Sequence, residues 1–184
     1  MSRFTIHAPD DAPAASRETL ENVQAGYGFI PNVVGVMAGS PALVKAYTAL
    51  SQLLGETNFS PAEQQIAILS VSYANGCDYC MAAHSTTAEM TGVDADVIEA
   101  MRAGKPLPDE RLDALRVFIQ ALVKKQGWVD ENDLQAFHDA GFGQEHVLDA
   151  IMAVGMKTLS NYTNHIAQTP LDDAFQAKAW KKAG

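Results

Sequence analysis

The punctuation of this chain constrains its fold more than any other feature: small polar caps and prolines open, and glycines close, one helical period after another. Ser40-Pro41 and Ser60-Pro61 each set a capping hydroxyl before a proline at the first helical position, where a missing N–H costs nothing. Glu63, three residues after Ser60, completes a capping box. Asp94, Asp109 and Asp130 mark further starts, and Gly92, Gly104, Gly127 and Gly141 further ends. Between these marks apolar residues recur at helical spacing, as in Leu43, Tyr47, Leu50 and Leu54, or Leu112, Leu115, Phe118, Ile119 and Leu122.

The pattern predicts helices over about 16–25, from Ser40 through Leu54, from Ser60 to the Asn75-Gly76 break, and from Cys77 or Asp78 to Gly92. Further helices run over 94–104, 109–127, 130–141 and 145 to about 167, the longest. Pro31 opens a short apolar turn over 32–37, and Thr169-Pro170 a last short helix. No alternating strand pattern interrupts them. The expected fold is all-α: one domain over 16–184, preceded by an extended arm over 1–15 that could exchange between subunits. With 184 residues, 47% of them hydrophobic, the chain can bury a core of ordinary size.

A formal net charge of −9 repels phosphate backbones and anionic lipids, so neither nucleic acid nor membrane is an expected partner. The first ten residues lack the basic start and apolar centre of a signal peptide. No apolar run approaches the roughly 20 residues that span a bilayer. A cytoplasmic protein is expected. In that reducing compartment two cysteines three positions apart point to catalysis or metal binding rather than to a structural disulfide.

Those cysteines, the only two, lie in Asn75-Gly76-Cys77-Asp78-Tyr79-Cys80-Met81-Ala82-Ala83-His84. On a helix, Cys77, Cys80 and His84 share one face, so two sulfurs and an imidazole can meet in one pocket. The Asn-Gly break puts the cysteines in the first turn, where free N–H groups and the helix dipole favour a thiolate. A neighbouring imidazole can accept a thiol proton. Three readings follow: a redox dithiol, a zinc site using both cysteines and His84, and plain buried thiols. The zinc site would need a fourth ligand, and the chain has no second cysteine pair to supply one.

A Cys-x-x-Cys-x-x-x-His run opening a helix, after a capped helix that ends in Asn-Gly, resembles the AhpD-like alkylhydroperoxidases of the carboxymuconolactone decarboxylase-like superfamily. The resemblance is strongest over 60–92, and it implies a single-domain helical bundle of the AhpD-like type. It also implies a peroxidase cycle. Cys80 would attack a hydroperoxide and become a sulfenic acid, and Cys77 would condense with it to a disulfide. His84 would serve as base, and a dithiol donor such as a lipoyl or thioredoxin-like protein would restore the thiols. No bound cofactor or metal is required. A homo-oligomer, trimer or hexamer, is also implied.

Two departures stand out. The relay glutamate of such proteins precedes the first cysteine by twelve residues, where this chain has Gln65; the nearest carboxylate, the capping residue Glu63, is the candidate relay member in its place. Tyr79 stands where the archetype has a histidine. The alternatives to peroxidase turnover are a redox-responsive or disulfide-exchange protein and a zinc-stapled helical domain. Near the end of the longest helix, Asn161-Tyr162-Thr163-Asn164-His165 reads as a solvated last turn at Asn161, with His165 a candidate pocket or interface residue. The methionines read as core filler, and Trp128 and Trp180 as packing anchors.

Overall fold

Nine α-helices follow the cap-and-glycine pattern in a computed structural model that describes residues 2–182: α1 Ala14–Tyr27, α2 Asn32–Met37, α3 Pro41–Leu54, α4 Pro61–Ala74, α5 Asp78–Met90, α6 Ala95–Ala103, α7 Glu110–Lys124, α8 Glu131–Asp139 and α9 Gln144–Ala167. Among the described residues there is no strand. Both Ser-Pro starts are realised, and Ser60 and Glu63 close the capping box of α4.

Three expectations shift. Helix α1 runs through Gly26 and stops at Gly28, whose φ of 80° supplies the left-handed cap. The apolar stretch after Pro31 is a short helix whose residues beyond Asn32 are all buried. The segment opened by Thr169-Pro170 is a 3-10 helix, Asp173–Lys178.

Helix α4 lies at the centre, packed by α5, α6, α7 and α9. Its residues 66–72 are buried without interruption, which requires apolar or self-satisfied side chains on every face. Ser70 and Ser72 meet that demand by donating to the carbonyls of Ile66 and Ile68, at 2.6 and 2.8 Å. One core gathers α4, α6, α7, α8 and the start of α9 around Ile66, Leu69, Leu115, Phe118 and Phe137. A second gathers α1, α2, α3 and the start of α5 around Leu20, Val34, Met37, Val44 and the two cysteines. Helix α9 lies against both halves. Its inward stripe, Ala150, Ala153, Met156, Lys157, Ser160, Asn161, Asn164 and Ala167, is made of short or polar residues apart from Met156.

The N-terminal arm packs on its own chain. Arg3 N–H donates to the Ala167 carbonyl at 2.7 Å, and His7 N–H to that of Gly35 at 3.0 Å. Trp128 is 87% exposed and Met90 81%, so neither is an anchor or a filler. Trp180 does pack, on Tyr73, and donates to the Arg102 carbonyl at 2.8 Å. No helix among the described residues is long and apolar enough to cross a membrane.

Candidate active site

Gly76, at φ 65°, turns the chain out of α4 so that Cys77 becomes the N-cap of α5. Cys80 then falls at the third helical position, in the turn whose N–H groups have no intrahelical acceptor. Both thiols are free and buried. Asn164, from the inward stripe of α9, directs its Nδ2 to both sulfurs, 3.4 Å from Cys80 and 3.8 Å from Cys77. Ser160 Oγ stands 3.8 Å from Cys80 Sγ. Asn161 is fully buried, and its Oδ1 accepts from Asn75 Nδ2 at 2.9 Å, tying α9 to the turn before the cysteines. The expected solvated last turn is therefore a buried polar face at residue 161, whereas His165 is exposed beside Tyr162.

A cavity of about 330 Å³ opens onto these groups, and Cys80, His84, Lys157, Tyr47, Tyr79 and Phe175 line part of it. Cys77 lies behind Cys80, off that wall. Tyr79 points away from the sulfurs, donating to Asp172 and accepting from Val33 N–H at 3.4 Å. Asp172 also accepts from Asn32 N–H at 3.0 Å. This carboxylate thus fastens the C-terminal segment to both α2 and α5, and it brings Phe175 against Phe29 and Tyr79 as one wall of the cavity.

Lys157 is fully buried, and its Nζ is 2.7 Å from His84 Nε2. Among the described residues no carboxylate pairs with it; the groups facing it are His84, Cys80 and Cys77 from α5 and Tyr47 from α3. Burial by itself would raise the Cys80 thiol. The Cys77 hydrogen bond, the Lys157 ammonium, and the Ser160 and Asn161 side chains outweigh it and bring that thiol well below its ordinary range. Cys77 moves the opposite way, raised by its bond to Cys80 and by burial. Burial, and then the charge of Lys157, hold the His84 imidazole well below its usual value, so it is neutral. Burial would likewise lower Lys157, but the negative charge at Cys80 keeps it raised and protonated. These directions favour a thiolate at Cys80, an ammonium at Lys157 and a neutral imidazole at His84.

Glu63 does not reach this site. It lies at the opposite end of α4, roughly 16 Å of helix from Ala74 at the usual rise. There its carboxylate accepts from Ser60 N–H and from Arg111 Nε, each at 2.7 Å. Burial would raise that carboxyl, but the Ser60 and Arg111 bonds hold it below its ordinary value. The relay role expected of Glu63 is corrected accordingly: the cap and the Arg111 pair occupy it. The charged partner that sequence reasoning missed is Lys157. Its signal was a lysine on the same helix face as Ser160, Asn161 and Asn164 in the longest amphipathic segment. Among the described residues no group of three or more His, Cys, Asp or Glu side chains could hold a metal ion, and Lys157 occupies the ring nitrogen of His84 that faces the site.

The site is thus a pair of thiols at the start of a buried helix, beneath a cavity, in an all-helical fold. Residues 41–117 match the carboxymuconolactone decarboxylase family. Over 53 residues the chain is 42% identical to alkyl hydroperoxide reductase AhpD of Rhodococcus erythropolis, a match that spans 28% of this chain and 30% of that relative. The crystal structure of an alkylhydroperoxidase AhpD core, an uncharacterized peroxidase-related protein from Ralstonia eutropha, superposes with a TM-score of 0.82 at 24% identity, covering 95% of this chain and 94% of the other. The debrominase Bmp8, solved as a cysteine-to-alanine variant with 2,3,4-tribromopyrrole, superposes at 0.77 with 19% identity, covering 97% and 96%. These structural likenesses show the fold. The family match covers less than half of the chain, so the comparisons establish the AhpD-like helical fold and a local similarity to the carboxymuconolactone decarboxylase family.

Proposed function

We propose that this protein is a thiol peroxidase that reduces organic hydroperoxides through a Cys80/Cys77 dithiol–disulfide cycle. The observation that carries the reading is the placement of Cys80. It is the sulfur on the cavity wall, it sits in the first turn of α5, and the buried Lys157 lines the same wall. A thiolate is the form that attacks peroxide oxygen. The Cys80 thiolate attacks the terminal oxygen of a hydroperoxide, forming a sulfenic acid and releasing an alkoxide that becomes the alcohol. The Cys77 thiol then condenses with the sulfenic acid to give a disulfide and water. A dithiol donor returns both thiols by exchange and leaves as its own disulfide.

In this reading Cys80 is the nucleophile and Cys77 the resolving thiol. His84 acts by holding the Lys157 ammonium rather than by taking a proton from Cys80, because its facing nitrogen is engaged. The apolar and aromatic part of the cavity wall suits an organic peroxide over hydrogen peroxide. A lipoyl or thioredoxin-like donor, a cytoplasmic location and a trimer or hexamer belong to the same proposal on the strength of the resemblance.

The test is stopped-flow mixing of reduced protein with cumene hydroperoxide, following thiol loss and disulfide formation. Rapid consumption of one equivalent with formation of the Cys77–Cys80 disulfide, abolished in Cys80→Ser, supports the reading. A reaction no faster than that of a free thiol assigns the pair to disulfide exchange or regulation instead.

A further inference from the structure

Lys157 raises a question that thiolate stabilisation alone does not answer. A fully buried ammonium without a carboxylate is tolerated only while a negative charge lies beside it. The acidic side chain that shares the cavity wall with Lys157 and can carry that charge is Cys80, as its thiolate. Attack on a peroxide removes it: the electron pair on sulfur forms the S–O bond, the O–O bond breaks, and the charge departs on the leaving oxygen. At that moment Lys157 loses its counter-charge at Cys80, and the nearest anion becomes the alkoxide in the same cavity. Lys157 itself lines that cavity, so no intermediary is required. Its hydrogen bond to His84 Nε2, at 2.7 Å, holds Nζ in place without neutralising it, because a neutral imidazole nitrogen can only accept from an ammonium.

We propose that Lys157 is a catalytic residue of this site, an acid whose ammonium gives its proton to the oxygen that leaves when Cys80 attacks a hydroperoxide. This rests on the peroxidase reading above and deepens it. The step balances. Thiolate, hydroperoxide and ammonium become sulfenic acid, alcohol and neutral amine; sulfur is oxidised by two electrons and the O–O bond is reduced. The thiolate regenerated by the dithiol donor restores the demand for a charged Lys157, which then takes up a proton. The site thus replaces the carboxylate relay, absent at Gln65, with a cation whose proton follows the moving charge. The groups that face Nζ (His84, Cys80, Cys77 and Tyr47) include no other acid that is charged at rest.

The experiment separates proton donation from thiolate stabilisation by varying the leaving group. An alkyl hydroperoxide expels an alkoxide, about as basic as hydroxide. A peracid expels a carboxylate (conjugate acid near 4), which needs no proton. Rates of Cys80 oxidation are measured for the wild type, Lys157→Met and Lys157→Arg with cumene hydroperoxide and with peracetic acid. Each is expressed per thiolate, using the thiolate absorbance of the same sample across pH, and folding of each variant is checked by circular dichroism.

The expected result for Lys157→Met is a loss of about 100-fold or more on the alkyl hydroperoxide, with the peracid rate nearly unchanged. Lys157→Arg keeps a positive charge but does not release a proton, so it should show the same selective loss. Equal losses on both oxidants, or full recovery by arginine, overturn the proton donor and leave the peroxidase reading standing. A wild type that outpaces a free thiol with neither oxidant removes both. Should neither variant fold, the wild type alone decides: nearly equal per-thiolate rates on the two oxidants support the proton donor, and a strong preference for the peracid overturns it.

Discussion

Lys157 Nζ lies 2.7 Å from His84 Nε2, and 73 residues of sequence separate the two. In the proposed reading this contact gives the imidazole a different part from the base expected of it: it accepts from the ammonium.

The first consequence concerns Cys80. With Lys157 in place the Cys80 thiol is held well below its ordinary value, so replacing the lysine by methionine raises that value. Iodoacetamide alkylation of Cys80 at pH 7 should slow by about tenfold or more. Once a thiol titrates above the working pH, each further rise of one in its pKa cuts the thiolate about tenfold. A pH profile of alkylation that is identical in wild type and variant would count against the ion pair.

His84 sets a second expectation, for stability against pH. Its value in the folded chain is well below the 6.5 or so of an unfolded one. Below about pH 6.5 the unfolded state therefore binds a proton that the folded state refuses. The stability contributed by the neutral ring is complete above that pH and is lost as the pH falls toward the folded value. The slope has an upper bound of about 1.4 kcal/mol per pH unit from this residue. Urea titrations at pH 7 and pH 5 should show a larger acid loss in the wild type than in His84→Gln. Equal losses would mean that the ring is protonated in the fold.

Glu63 supplies a third. Because it caps α4 and pairs with Arg111 far from the sulfurs, Glu63→Gln should leave the Cys80 oxidation rate per folded molecule unchanged. It should cost about 1 kcal/mol of stability through the weakened capping box. A variant of normal stability with a large rate loss would restore the relay role.

Asp172 gives the fourth. It accepts from Tyr79 O–H and Asn32 N–H and is itself largely buried, so Asp172→Ala leaves two donors without their acceptor. A loss of about 2–4 kcal/mol is expected, with Tyr79→Phe costing less. Hydrogen exchange should rise first in the C-terminal segment around Phe175 and in α2. Uniform destabilisation without local opening there would contradict the fastening role.

Much of the fold was legible because helix ends are decided locally. A serine before a proline, a carboxylate three residues on, and a glycine where φ must be positive act within a single turn, so α3 to α9 began and ended close to where their residues predict. Where the local signal was equivocal the structure departed from it. Gly26 could be passed because Gly28 supplied a better cap, and Trp128 had no neighbour to anchor. The site divides in the same way. Cys77, Cys80 and the helix start that polarises them lie within one turn, and the sequence by itself determines their common face.

The partners from α9 are another matter. Whether Lys157 is a solvated lysine or a buried counter-ion depends on which face of a 24-residue helix is covered, and by what. Only the packing of α9 across α3, α4 and α5 turns Lys157, Ser160, Asn161 and Asn164 inward and strips the water from them. The sequence determined that two thiols would stand together at the start of one helix. The tertiary structure decided which charged group lies near them, because residues 80 and 157 share a cavity wall only when two helices meet.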